Sequence, residues 1–140
     1  MSESDRSDSE IEVLSEHQCR ELLASRDLGR IAFAISEQPE IFPINYAVDG
    51  SIVVFRTASG TKLQNAIKSR VAFEVDDWDP EGRVGWSVVL KGVAEEVKSG
   101  INPFSAALRA RRVFPLAPGD REHLIAIYPS EITGRRFRGA

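Results

Sequence analysis

Asp49-Gly50-Ser51-Ile52-Val53-Val54-Phe55-Arg56-Thr57-Ala58-Ser59-Gly60-Thr61-Lys62-Leu63 is the stretch from which the rest of the chain is read. A tight Asp-Gly turn feeds a β-branched and aromatic run, the signature of a strand leaving a hairpin. The run ends at Arg56 and Thr57 and passes through Ala58-Ser59-Gly60 into Thr61-Lys62-Leu63-Gln64-Asn65-Ala66-Ile67-Lys68, where Leu63, Ala66 and Ile67 recur at helical spacing. This predicts a helix from Thr61 to Ser69. Strand, short flexible loop and helix start make an anion-binding geometry. The first turn of a helix has N–H groups without internal partners, and the positive end of its dipole faces outward. Ser59 and Thr61 add hydroxyl donors, Gly60 lets a ligand approach the backbone, and Arg56 and Lys62 bring charge from two sides. The same residues also fit a plainer arrangement, with Thr61 as a helix cap and both cations solvated. Neither the Walker spacing Gly-x-x-x-x-Gly-Lys-Ser/Thr nor a Gly-x-Gly-x-x-Gly fingerprint is present.

Upstream of this stretch, Arg30 to Ser36 alternates as a strand, Glu37-Gln38-Pro39 supplies a turn, and Glu40 to Val48 makes a second strand that meets the Asp49-Gly50 hairpin. Pro43 cannot donate to a central ladder, so this strand belongs at an edge or a bulge and is bent there. Further upstream, Ser15-Glu16-His17-Gln18 fits a capping box, with Leu14 and Cys19 placed as a hydrophobic staple. It opens a helix whose apolar face is Cys19, Leu22 and Leu23 and which Gly29 can stop in a left-handed turn. Downstream, Arg70 to Asp76 is a fourth strand with Phe73 and Val75 on one face and Glu74 and Asp76 on the other. Gly85 to Val97 is long for one strand, and Gly92 offers the bend at which a barrel strand turns a corner, so a closed or nearly closed barrel suits it. Asn102 to Val113 reads as a helix capped by Asn102 with Pro103 in its first turn. His123 to Tyr128 makes a sixth strand, followed by an extended tail from Pro129 to Phe137.

The 140 residues allow one compact domain, over 13–140, and their 42% hydrophobic content is that of a soluble globular protein. Residues 1–12 are acidic and poor in apolar side chains, and read as a mobile tail. Its charge is opposite to that of the arginine-rich end of the chain, so the two ends attract. A net charge of −3 argues against broad affinity for nucleic acid. The single cysteine, Cys19, cannot close an intramolecular disulfide, no apolar run reaches membrane-spanning length, and no signal peptide is visible, which places the protein in the cytoplasm without a membrane partner. His17 and His123 have no orienting partner in the sequence and read as surface residues. The carboxylates of Glu74, Asp76, Asp77, Asp79 and Glu81 lack the spacing of a calcium loop, so no metal site is expected there.

In order along the chain, Gly29-Arg30-Ile31-Ala32-Phe33, Pro43-Ile44-Asn45-Tyr46, Phe55-Arg56-Thr57, Gly60-Thr61-Lys62-Leu63, Ala72-Phe73-Glu74-Val75-Asp76, and Gly85-Trp86-Ser87-Val88 followed by Gly92 resemble the flavin-binding split β-barrel proteins related to pyridoxamine 5′-phosphate oxidase. The resemblance runs from about Leu14 to Val97. It implies a mainly β, α+β fold with peripheral helices: a six-stranded antiparallel split barrel of the FMN-binding type, paired as a homodimer with cofactor sites at the interface. It implies that Arg56, Thr57, Ser59, Gly60, Thr61 and Lys62 hold the FMN phosphate, that Ile44, Asn45 and Tyr46 run beside the flavin ring, and that Trp86 and Ser87 reach the site at the dimer interface. Without the resemblance, Asn45 is a turn or bulge residue, Tyr46 half-buried filler, Trp86 core and Ser87 a polar strand residue.

Two function classes follow. The first is an FMN-dependent oxidoreductase carrying out two-electron transfer with a small organic substrate, in which the cofactor carries the chemistry and the protein orients it. This agrees with the lack of a nucleophile elbow and of a His-Glu-x-x-His motif. The second is a non-catalytic module that binds or senses a flavin, a deazaflavin coenzyme or haem, ligands that short relatives of this type take. The groups with which pyridoxamine oxidase grips pyridoxal phosphate have no match in this chain.

Overall fold

The computed structural model describes residues 10–97 and 123–139, and the alternation in the sequence becomes one curled antiparallel sheet. Its eight strands are β1 (Glu10–Val13), β2 (Leu28–Ile35), β3 (Gln38–Asn45), β4 (Ala47–Asp49), β5 (Ile52–Thr57), β6 (Arg70–Asp79), β7 (Val84–Glu96) and β8 (His123–Arg138). A helix, α1 (Glu16–Ala24), lies between β1 and β2. The hydrogen-bonded order is β3-β2-β6-β7-β8-β5-β4, with β1 added on β8. The two ends of that path, β3 and β4, are consecutive in the chain with Tyr46 alone between them. The sheet therefore has to curl until its ends meet, and that closure makes the barrel. Every second residue points inward, and Ile31, Phe33, Phe55, Phe73, Leu90 and Ile125 fill the interior. A smaller cluster of Ala47, Val54 and Ala126 is buried on the outer face of β4, β5 and β8.

The mainly β fold class stands, while the strand count rises from the expected six to eight among the described residues. One addition is Glu10–Val13, three residues of which fall in the stretch read as a tail. It pairs with β8 in the register Glu10↔Arg138 and Glu12↔Arg136, so the attraction between the acidic and basic ends is realised as a β ladder, with Glu12 3.6 Å from Arg136. The other comes from Tyr46, which interrupts the second strand. The extended tail after Tyr128 is the continuation of β8. The helix expected over 102–113 lies outside the described residues.

The capping box forms as read. Ser15 N–H donates to Gln18 Oε1 at 2.8 Å and Gln18 N–H to Ser15 Oγ at 3.1 Å, and Leu14 and Cys19 are both buried. Burial, with the charge of Glu16, pushes the Cys19 thiol up, as befits a core residue. Gly29 does not end α1, which stops at Ala24 with Ser25 as its C-cap. Gly29 is a β2 residue, and a Cβ there would lie 2.4 Å from the Phe73 ring. The β2–β3 hairpin turns through Ser36 and Glu37, both left-handed at φ 48° and 68°, one residue earlier than the proline suggested.

The corner expected at Gly92 is a β-bulge. Lys91 faces Glu131 but Gly92 faces Pro129, which leaves Ser130 as the extra residue of β8. The insertion flips parity. Before it His123, Ile125 and Ile127 face inward; after it Ile132 and Gly134 do. A Cβ on Gly92 would sit 2.0 Å from the Tyr128 carbonyl oxygen, so glycine is required there by close approach.

Candidate functional site

The segment after β5 is not the predicted α-helix but a five-residue 3₁₀ turn, Lys62–Ala66. β7 captures the chain before a second turn can form: Ile67 bridges Ala94, Lys68 N–H donates to the Ala94 carbonyl at 2.5 Å, and Ala94 N–H donates to Ser69 at 3.1 Å. Lys68 turns left-handed at φ 67° to allow this. So short a turn has little macrodipole, and its entry is already satisfied, since Gly60 N–H donates to Gln64 Oε1 at 2.8 Å. Thr61 is not a cap. Its hydroxyl donates to the Ala58 carbonyl at 3.0 Å and lies 3.0 Å from Thr57 Oγ1. Gly60 takes φ 78°, the left-handed position that folds the loop back on itself.

The loop closes on a residue that the sequence assigned to plain surface. His123 Nε2 lies 2.6 Å from Ser59 Oγ, and His123 Nδ1 lies 2.7 Å from Glu96 Oε2. The ladder places these groups: His123 opens β8 directly opposite Thr57, and Glu96 is the last residue of β7. The side chains of His123 and Glu96 are only 21% and 26% exposed. Separations of 64 and 27 residues hid the contacts from any local pattern. The available signal was parity, since His123 shares its face with Ile125 and Ile127. His17, in contrast, is on the surface as read, paired with Glu21 one helical turn on.

The other expected site residues are scattered. Lys62 Nζ sits 3.1 Å from Glu40 Oε1 on β3. Arg56 is exposed on the outer face of β5, opposite to its neighbour Thr57. Ile44 and Tyr46 are buried in the barrel; the Tyr46 hydroxyl donates to the Leu23 carbonyl at 2.5 Å, and its ring meets Phe73 edge-on. Burial and the charge of Asp27 push this phenol up. Asn45 Nδ2 donates to the Asp27 carbonyl at 3.1 Å, which ties β3 to the link between α1 and β2. Trp86 packs on the core beneath the Arg26 guanidinium, 5.3 Å from the ring centroid, and Ser87 stands between Asp76 and Arg135 in the ladder. At about 3.3 Å per residue, β7 runs on the order of 30 Å from Trp86 to Glu96. Trp86 and Ser87 therefore sit at the opposite end of the strand from the hydroxyl loop.

The acidic run is engaged with arginines. Asp77 Oδ2 is 2.7 Å from Arg26 Nη2, which holds its carboxyl below the usual range, and β6 extends through Asp79, beyond the expected end of the strand at Asp76. Glu74, flanked by Asp76 and facing Arg30 at 3.8 Å, is raised from 4.5 to about 7 by burial and by its acidic neighbour. No group of side chains fit to hold a metal ion occurs among the described residues. Nor, among them, is any helix long and apolar enough to cross a membrane.

A curled antiparallel sheet closed through Tyr46, with a hydroxyl- and glycine-rich loop at the end of β5, defines the split β-barrel class. The chain belongs to the pyridoxamine 5′-phosphate oxidase family, whose model matches residues 15–136. An uncharacterized protein of Mycobacterium tuberculosis is 36% identical over 134 residues, covering 91% of this chain and 86% of the relative. The solved FAD binding protein from Mycobacterium smegmatis is 38% identical with a TM-score of 0.72, covering 92% of this chain and 100% of that one. A FAD-binding protein from Mesorhizobium loti is 25% identical with a TM-score of 0.73, covering 92% and 98%.

Proposed function

We propose that this protein binds a phosphorylated flavin, FMN or FAD, at the loop from Thr57 to Lys62 and uses it for two-electron transfer with a small organic substrate. The observation that carries the reading is the pair of Thr57 and Thr61 hydroxyls, 3.0 Å apart at the end of β5 with Ser59 in the loop between them, in a chain of this family whose similar structures include FAD-binding proteins. The fit is to a phosphate ester. An anion would compete for the hydroxyls now bonded within the loop, Gly60 leaves open space with nothing within 4 Å of its missing Cβ, and Lys62 is an exposed cation that can exchange its present partner, Glu40, for an anion. Arg56 has the length to reach round the strand end from the outer face. The bound flavin would supply hydride and electron transfer. The chain's residues bind and orient it and keep water from its surface.

The wide separation along β7 bears on assembly. One flavin cannot touch both the hydroxyl loop and a tryptophan on the order of 30 Å away along the same strand. A homodimer resolves this by bringing Trp86 and Ser87 of a second copy to the loop of the first, with Asn45 beside them. Exposed Ile11, Val13 and Trp78, at 69%, 81% and 44%, are apolar surface that such pairing could cover.

The test is a fluorescence titration with FMN, FAD, riboflavin and a deazaflavin coenzyme, followed by addition of reduced nicotinamide to the loaded protein. Tight FMN or FAD binding with weak riboflavin binding, bleaching by the nicotinamide and recovery with an acceptor support the proposal. Binding without turnover reduces it to a flavin-holding module, and no phosphate preference removes the assigned loop. Lys62→Ala should weaken FMN by about ten- to hundredfold, the worth of one charge-assisted hydrogen-bond set at about 1.5–3 kcal/mol.

A further inference from the structure

The geometry points to His123 and Glu96 as a protonation-dependent part of the phosphate seat, a role that rests on the flavin reading above. Ser59 Oγ, His123 Nε2, His123 Nδ1 and Glu96 Oε2 form a continuous relay with steps of 2.6 and 2.7 Å. The carboxylate fixes what the ring can do. With Nδ1–H turned toward Glu96, a neutral imidazole presents a bare lone pair at Nε2, and the Ser59 hydroxyl donates to it. Both groups are then poor hosts for an anion. Protonation of the ring reverses the relay: Nε2–H becomes a donor, the Ser59 hydroxyl is released to donate elsewhere, and Glu96 balances the new charge from behind. A phosphate at the loop then meets two donors in place of one lone pair.

Among the described residues, the other charged groups near His123 point or pair elsewhere. Thr57 faces it from β5, while Arg56 points to the other face. Lys62, from the 3₁₀ turn, is held by Glu40 of β3. Glu95 of β7 is exposed on the opposite face from Glu96, and Lys68 lies beyond the turn, tied through its backbone to Ala94. Glu96 is thus the described carboxylate in contact with the ring. A Ser-His-Glu relay is also the arrangement of an activated nucleophile. Here the adjacent oxyanion donor is spent, because the N–H of Gly60, the residue after Ser59, already donates to Gln64 Oε1 at 2.8 Å. That favours anion holding over acyl transfer.

The experiment compares FMN and riboflavin dissociation constants from about pH 5.5 to about pH 8.5, the span over which a histidine changes charge, in the wild-type chain, His123→Gln and Glu96→Gln. Because FMN ionises in the same range, the readout is the ratio of variant to wild-type affinity at each pH, which cancels the ligand's own titration. The expected result is a His123→Gln deficit for FMN of about tenfold at the acid end, closing toward none at the alkaline end, with riboflavin unaffected. Glu96→Gln should move the fall in wild-type-like affinity to lower pH, since the imidazolium has lost its counter-charge. Parallel FMN profiles in wild type and His123→Gln overturn this inference and leave the flavin reading intact. Failure of FMN to bind at any pH overturns both. Circular dichroism melts of each variant establish that the comparison is between folded chains.

Discussion

Replacing Tyr46 with phenylalanine isolates the contact that closes the barrel. Leu23 lies in the last turn of α1, where carbonyls have no intrahelical donor, and the Tyr46 hydroxyl fills that vacancy at 2.5 Å while the residue is only 4% exposed. Phenylalanine keeps the edge-on packing against Phe73 at 4.8 Å and loses only the donor. A buried carbonyl left without a partner costs about 1–3 kcal/mol. For a chain of this size that corresponds to a melting temperature lower by roughly 3–10 °C. Urea unfolding followed by tryptophan fluorescence should show a lower midpoint with an unchanged m-value, because the surface exposed on unfolding is the same. Flavin affinity should stay within about twofold, since the phenol is engaged with α1 and not with a ligand. A stability change below about 0.3 kcal/mol, the scatter expected of independent sites, would refute the closure argument. A large loss of flavin binding with intact stability would make Tyr46 a ring contact after all.

Three further outcomes follow from the same structure. Glu37→Gly should raise stability by about 0.5–1 kcal/mol in a urea melt, because the left-handed φ of 68° strains any residue with a Cβ; a loss would show that the turn relaxes in solution. Gly92→Ala should cost about 2–4 kcal/mol or prevent folding, since its Cβ would lie 2.0 Å from a backbone oxygen that cannot move aside; a near-neutral result would mean the bulge is elsewhere. Glu74, raised to about 7, takes up its proton more readily in the folded chain, so its contribution to stability is fullest below its ordinary 4.5 and is lost as pH rises to about 7. With the side chain 31% exposed, solvent screening reduces the effect to about 1 kcal/mol. Glu74→Gln should thus melt above the wild type at pH near 8 and match it near pH 4; a gain independent of pH would contradict this cause.

The barrel was legible because its evidence is local. Period-two patterning in β2 and β6, the Asp-Gly turn and β-branched run of β5, a proline on β3 and a glycine at the β7 corner each report on their own strand, and the Ser15 box announces α1 within four residues. Charge segregation foretold an attraction between the chain ends but not the β1–β8 ladder, because the acidic composition disguised β1 as a tail. What failed was decided by long-range contacts. Leu63, Ala66 and Ile67 have helical spacing, yet Ala94 takes Ile67 and Lys68 into the β7 edge and leaves a 3₁₀ turn. His123 had no visible partner because Ser59 and Glu96 reach it only after β5, β7 and β8 have aligned. Trp86 was linked to the hydroxyl loop only by the resemblance, as part of a site at a dimer interface; within one chain the length of β7 puts the two at opposite ends.

The central claim is that the loop from Thr57 to Lys62 seats the phosphate of a flavin. A crystal of the protein grown with flavin mononucleotide tests it without intermediaries. The account predicts phosphate density within hydrogen-bond distance of the Ser59 and Thr61 hydroxyls, with the Lys62 ammonium turned from Glu40 toward it. A fully occupied flavin whose phosphate lies away from this loop, with the Lys62–Glu40 pair undisturbed, would contradict it.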